Sequence, residues 1–207
     1  MPTKLNNTYL LLRHGQALAN VLGVSDVLGD PQNHLTEKGR REATEAGKRL
    51  IGTPIDVIIA SPFLRTQETT AIIAHTIGFS QERVVLDQRL QEMNHGSLAQ
   101  WKPIHYYRGE ETPSENLRHR DGRDAESFLD VRERMLGVVH DYEKQYAGKT
   151  ILLVSHRSPI WMLYTGHWRC SDEETIAWEK AERKEGSTLS SGGITALNIP
   201  PDILKNN

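Results

Sequence analysis

The chain has 207 residues, with 25 Lys and Arg against 27 Asp and Glu and a formal net charge of −2. That is the length of one globular domain, and near-neutrality excludes a protein whose main work is coating nucleic acid or an anionic membrane, which needs a concentrated positive field. A hydrophobic fraction of 37%, gathered in spaced apolar clusters, excludes global disorder.

Strand-like and helix-like patterns alternate from the start. Thr8 to Leu12 is a short apolar run that predicts a buried strand and stops at Arg13, His14 and Gly15. A polar loop follows from Gly23 to His34. Thr36, Glu37 and Lys38 spell a helix start, with Leu35, Ala43, Ala46, Leu50 and Ile51 near helical spacing and Gly52, Thr53 and Pro54 as the stop. Ile55 to Ala60 predicts a second strand. Ser61 and Pro62 predict an N-cap followed by a first-turn proline, opening a helix that runs to about Gly78.

Val84 to Leu86 is a third strand candidate, and the polar stretch from Met93 to Arg123 after it is unusually long. It carries Trp101, Tyr106 and Tyr107 and predicts either a solvated loop with a short helix or a lid over a site. Asp124 to Tyr146 has the strongest helical periodicity, with Phe128, Val131, Met135, Val138, Val139, Tyr142 and Tyr146 on one face. Thr150 to Val154 predicts a fourth strand ending at Ser155, His156 and Arg157, with a helix from about Pro159. Gly193 to Ile199 predicts the last strand.

This alternation implies an α/β fold in three layers, with helices on both faces of a mainly parallel central sheet. We expect one domain over residues 1–207 with an insertion at about 93–123. The N-terminal apolar stretch, Tyr9 to Leu12, is four residues long and the longest apolar run is Ile160 to Tyr164, against roughly 7–15 residues for a leader core and roughly 20 for a membrane span. A single cysteine, Cys170, cannot make an internal disulfide. The expected setting is therefore cytoplasmic, with neither nucleic acid nor membrane as partner; a homodimer is compatible with all of this.

In an open α/β sheet, ligands sit beyond the carboxyl ends of the strands. Here three such ends direct His14, His156, Arg13 and Arg65 toward one edge, a combination suited to a phosphate dianion because guanidinium groups grip its oxygens in pairs and stay charged. No histidine pair has the His-Glu-X-X-His spacing of a zinc site, and the glycines spell neither a dinucleotide fingerprint nor a Walker loop. The expectation is a site with no metal and no cofactor.

The sequence also resembles a known family. Leu11, Leu12, Arg13, His14, Gly15, Gln16 and Asn20 are similar to the signature of the histidine phosphatase superfamily, or phosphoglycerate mutase-like family. Leu35, Thr36 and Gly39 resemble its next block, and Ser61, Pro62, Arg65, Thr66 and Thr69 the one after. Leu90, Glu92 and Gly96 resemble its acid motif, Glu126 and Ser127 the start of its long helix, and Val154, Ser155 and His156 its last block. The blocks fall in family order from residue 8 to about 160.

The resemblance implies a phosphoglycerate mutase-like fold and a metal-independent phosphomonoester phosphatase acting on a small phosphorylated metabolite. It makes His14 the nucleophile that becomes a phosphohistidine, a role suited to a neutral imidazole, whose other ring nitrogen should donate to a carbonyl. Arg13, Arg65 and His156 would surround the transferred phosphoryl group. Glu92 would protonate the leaving oxygen and then serve as base toward water. Gly15, Gln16, Asn20 and Arg157 are placed at the phosphate or substrate.

Three departures stand out. Arg157 replaces a common glycine, and either adds charge at the phosphate or points away from it. Glu42 replaces a common glutamine, taken as a surface change. The Trp-Glu-Gly usual after the acid motif is missing at Trp101, Lys102 and Pro103. Two other functions remain open: a 2,3-bisphosphoglycerate-dependent phosphoglycerate mutase, and a catalytically weak regulatory protein that binds a phosphorylated ligand. The short chain and the balanced charge of residues 101–124 favour hydrolysis over the mutase, whose insertion is Arg-rich in the family.

Overall fold

The computed structural model describes residues 4–103, 112–183 and 187–200. Five strands form one sheet: β1 (Thr8–Arg13), β2 (Val57–Ala60), β3 (Val84–Leu86), β4 (Thr150–Ser155) and β5 (Ile194–Ala196), in the order β3-β2-β4-β1-β5. β1, β2, β3 and β4 pair in parallel, and β5 closes one edge antiparallel to β1. The expected α/β class with a mainly parallel sheet is what the chain adopts.

Side-chain alternation along the strands explains why both faces are covered. Leu12, Ile58, Ala60, Leu152 and Val154 face one way and pack on Ala46 and Leu50 of α2 (Glu37–Leu50) and on Ile73 and Ala74 of α3 (Leu64–Ile77). Tyr9, Leu11, Ile59, Ile151 and Leu153 face the other way, onto α5 (Phe128–Gln145), α6 (Arg157–His167) and α7 (Asp172–Ala181). The stripe Phe128, Val131, Met135, Val138, Val139 and Tyr142 is the buried face of α5. The remaining α-helices among the described residues are the short α1 (Leu18–Leu22) and α4 (Pro113–Arg118).

Several boundaries differ from expectation for identifiable reasons. α3 starts at Leu64 with Phe63 at the cap position; Ser61 lies two residues earlier, where its hydroxyl accepts the Phe63 N–H at 3.3 Å and meets His156. α5 starts at Phe128, not Asp124: Ser127 and Asp130 form a reciprocal capping box that fixes the first turn there. α6 starts two residues before Pro159, with His156 at its cap. Leu35 is buried but precedes the Thr36 cap of α2, and Ile51, just past the end of α2, is 62% exposed. The last strand is only Ile194–Ala196, and the second begins at Val57. Of the 93–123 insertion, residues 97–99 form a single 3₁₀ turn and 113–118 form α4, whose Leu117 is fully buried. Tyr106 and Tyr107 lie outside the described residues.

Two glycines fix the approach of α2 to the end of β1. A Cβ on Gly15 would lie 2.3 Å from the Gly39 carbonyl oxygen, and one on Gly39 would lie 2.0 Å from the Gln16 carbonyl oxygen. Any side chain at either position would push the first turn of α2 off the loop that carries His14.

Candidate active site

The register of the two central strands builds the site. β1 and β4 pair with Arg13 opposite Ser155, so the next residues, His14 and His156, emerge side by side at the carboxyl edge. The His14 N–H donates to the Ser155 carbonyl at 3.1 Å, and the two rings meet edge-on with centroids 5.0 Å apart. β2, on the far side of β4, delivers Ser61 and then Arg65 from the first turn of α3. Phe63 lies between them, with its ring 5.2 Å from that of His156 and 4.9 Å from the Arg65 guanidinium.

Hydrogen bonds set the state of each imidazole. His14 Nδ1 is 2.7 Å from the Gly15 carbonyl oxygen; a carbonyl only accepts, so Nδ1 carries the proton and Nε2 keeps its lone pair. Arg65 Nε–H points at that lone pair from 3.3 Å. Burial, then the charges of Arg65 and Arg13, push His14 well below its ordinary value, only partly opposed by the Gly15 carbonyl. His156 is likewise pushed down, by burial first and then by Arg65, His14, Arg13 and Arg134. Its Nε2 lies 2.8 Å from Ser61 Oγ, and its Nδ1 is buried with no hydrogen-bond partner among the described residues.

Arg13, His14, Asn20, Ser25, Asp26, Arg65, Glu92 and His95 line one narrow cleft of about 40 Å³, room for a few waters or one phosphoryl group. Glu92 also borders a wider cavity of about 480 Å³ beside Phe63, Arg89, Asn94 and Arg134. Its carboxylate accepts the Met93 N–H at 2.8 Å, and the loop around it is tied down by Arg134, which pairs through two nitrogens with Glu126 and donates to the Arg89 carbonyl. His95 is held by Asp121 at 3.1 Å and borders a third cavity of about 240 Å³ with Ser25, Leu98, Lys102 and Asp121.

Five of the nine residues singled out by sequence line this cleft: Arg13, His14, Asn20, Arg65 and Glu92. Asn20 has its Oδ1 committed to the Ala17 N–H at 2.9 Å. His156 lies edge-on to His14. Gly15 is buried in backbone work, its N–H donating to Thr69 Oγ1. Gln16 and Arg157 are turned elsewhere. The Gln16 N–H donates to Glu42 at 2.7 Å and its side-chain oxygen accepts from Thr36; Glu42 is therefore a half-buried anchor, not a bare surface change. Arg157 donates to the buried Glu179 at 2.6 Å. Gln16 and Arg157 line a separate cavity of about 460 Å³ that also borders Arg13. Sequence reasoning did not single out Asp26, His95 or Arg134.

The strand ends, the tautomer of His14 and the arginine pair place an unprotonated imidazole nitrogen beside two guanidinium groups. A model of the histidine phosphatase superfamily, branch 1, matches residues 9–182. The chain belongs to this superfamily. It is 30% identical over 92% of its length to a 2,3-bisphosphoglycerate-dependent phosphoglycerate mutase of Thermoplasma acidophilum, covering 86% of that protein. It is 42% identical over 44% of its length to a probable phosphoglycerate mutase GpmB of Erwinia tasmaniensis, and the match spans 40% of that relative. Its fold is shared with a phosphoserine phosphatase mutant from Entamoeba histolytica solved with phosphoserine, at a TM-score of 0.70 and 22% identity over 92% of this chain and 89% of that one. No helix among the described residues is long and apolar enough to cross a membrane.

Proposed function

We infer that the chain is a metal-independent phosphomonoester phosphatase working through a phosphohistidine on a small phosphorylated metabolite in the cytoplasm. The observation that carries this reading is the fixed tautomer of His14, with Nδ1 on the Gly15 carbonyl and Nε2 facing Arg65 in a cleft shared with Arg13 and Glu92. His14 Nε2 attacks phosphorus, forming the N–P bond as the P–O bond to the leaving group breaks. Arg13, Arg65 and His156 stabilise charge on the equatorial oxygens. Glu92 gives the leaving oxygen its proton, then takes one from the water that releases phosphate and restores His14.

A transferase reading is favoured by one observation, the near full-length match to a phosphoglycerate mutase. In that reaction the phosphohistidine passes its phosphoryl group to a second hydroxyl before water enters. Against it, residues 101–124 balance five Lys and Arg with five Asp and Glu, a poor grip for a second phosphate and a carboxylate. Phosphate release and 3-phosphoglycerate isomerisation measured in one preparation separate the two. Release is expected to dominate, and dominant isomerisation would overturn the hydrolytic reading.

A further inference from the structure

The steps above leave one carboxylate buried against the cleft without a role. Asp26 lies in the loop between α1 and α2 and is 5% exposed. Burial works against its charge, but the Asp30 N–H, the Gln100 amide, Arg65 and the Asn33 amide outweigh it and hold the carboxyl below its ordinary range. Its Oδ1 accepts from the N–H groups of Gly29 at 3.0 Å and Asp30 at 2.9 Å, and from Gln100 Nε2 at 2.9 Å. Its Oδ2 accepts from Asn33 Nδ2 at 2.7 Å and Arg65 Nη1 at 2.5 Å, while its backbone oxygen accepts from Arg65 Nη2 at 3.3 Å.

A guanidinium is a flat plate with an end fork, Nη1 and Nη2, and a side edge that includes Nε. Asp26 holds the end fork through two oxygens, and the Nε edge faces His14. An arginine needed only for its charge would be poorly served by an anion here, because the carboxylate lowers the field that draws a dianion into the cleft. Orientation is what this pair gains. The carboxylate is itself clamped by Gln100, which stands next to Trp101 in the insertion and also accepts the N–H groups of Val27 and Leu28.

We propose that Asp26 is a positioning residue: it fixes the Nε edge of Arg65 on His14 and on the phosphoryl group in transfer, and by partly neutralising Arg65 it loosens the hold on released inorganic phosphate. The turnover part rests on the phosphatase reading; the binding part does not. Asp26→Asn keeps the shape and removes the charge. It is expected to lower kcat about 10–100-fold, the scale of a small misplacement of a catalytic group, while calorimetry shows inorganic phosphate binding about threefold or more tighter. A merely structural residue would lower kcat and weaken phosphate binding together.

Arg65→Lys keeps a charge but has no forks, so in that background Asp26→Asn should cause no further loss of kcat. Losses that multiply, or phosphate binding that weakens, would overturn the proposal. Should Asp26→Asn fail to fold, Asp26→Glu decides: lowered kcat with phosphate affinity near that of the parent supports the proposal, and parental kcat overturns it. If the parent protein releases phosphate from no ester tried, the phosphatase reading falls, and the calorimetric comparison still decides whether Asp26 restrains phosphate binding through Arg65.

Discussion

The two histidine-bearing strand ends lie side by side at one edge of the sheet yet differ in what their rings can do. β1 and β4 are parallel neighbours, each followed by a histidine at the same level of the sheet, and burial together with the nearby arginines keeps both imidazoles neutral. The difference lies in the hydrogen bonds. His14 spends Nδ1 on its own loop carbonyl and presents Nε2 to the cleft; His156 spends Nε2 on Ser61, a residue from a third strand end. Sheet register brings the rings together, and the choice of partner separates a nitrogen that faces the cleft from one committed to a neighbouring hydroxyl.

The most direct way to break this asymmetry is to remove each ring in turn. His14→Ala should lower kcat on the order of 10⁴-fold or more, since loss of a nucleophile removes a mechanism and not a contact; steady-state hydrolysis of an aryl phosphate checks it. His156→Ala should cost less, about 10²–10³-fold, the scale of one lost oxyanion donor. Equal losses in the two variants would erase the distinction.

The same comparison helps explain how much of the molecule was legible in its residues. Strand ends and motif blocks depend on neighbours close in sequence, so His14, His156 and Arg65 could be found by reading along the chain. The directions of the Gln16 and Arg157 side chains could not, because they are decided by Thr36 and Glu179, 20 and 22 residues away. Asp26 was hidden for the same reason: its loop looks solvated until Arg65, 39 residues on, is folded against it. α7 did carry a local signal, the Ser171 and Glu174 capping box ahead of Ile176.

Ser61 offers a gentler way to sharpen the contrast. Its hydroxyl touches His156 and not His14, so Ser61→Ala should lower kcat by a factor of about ten at most, the worth of one hydrogen bond near 1 kcal/mol, and should leave phosphohistidine formation at His14 intact. The smallest effect concerns what the rings share. Each titrates near 6.5 when unfolded and well below that when folded, so the unfolded chain takes up protons first as pH falls. Stability is expected to be complete above about pH 6.5 and to decline below it until the folded-state values are passed. Urea midpoints across that range check this, and a midpoint that rises on acidification would contradict it.

The most direct test of the whole account is to locate the phosphoryl group in the intermediate. Enzyme mixed with an aryl phosphate, quenched quickly and digested under alkaline conditions, should yield a phosphorylated peptide containing His14, absent from the His14→Ala variant. Phosphate bound covalently at any other residue, or turnover at the parental rate in that variant, would contradict the assignment of His14 as the nucleophile.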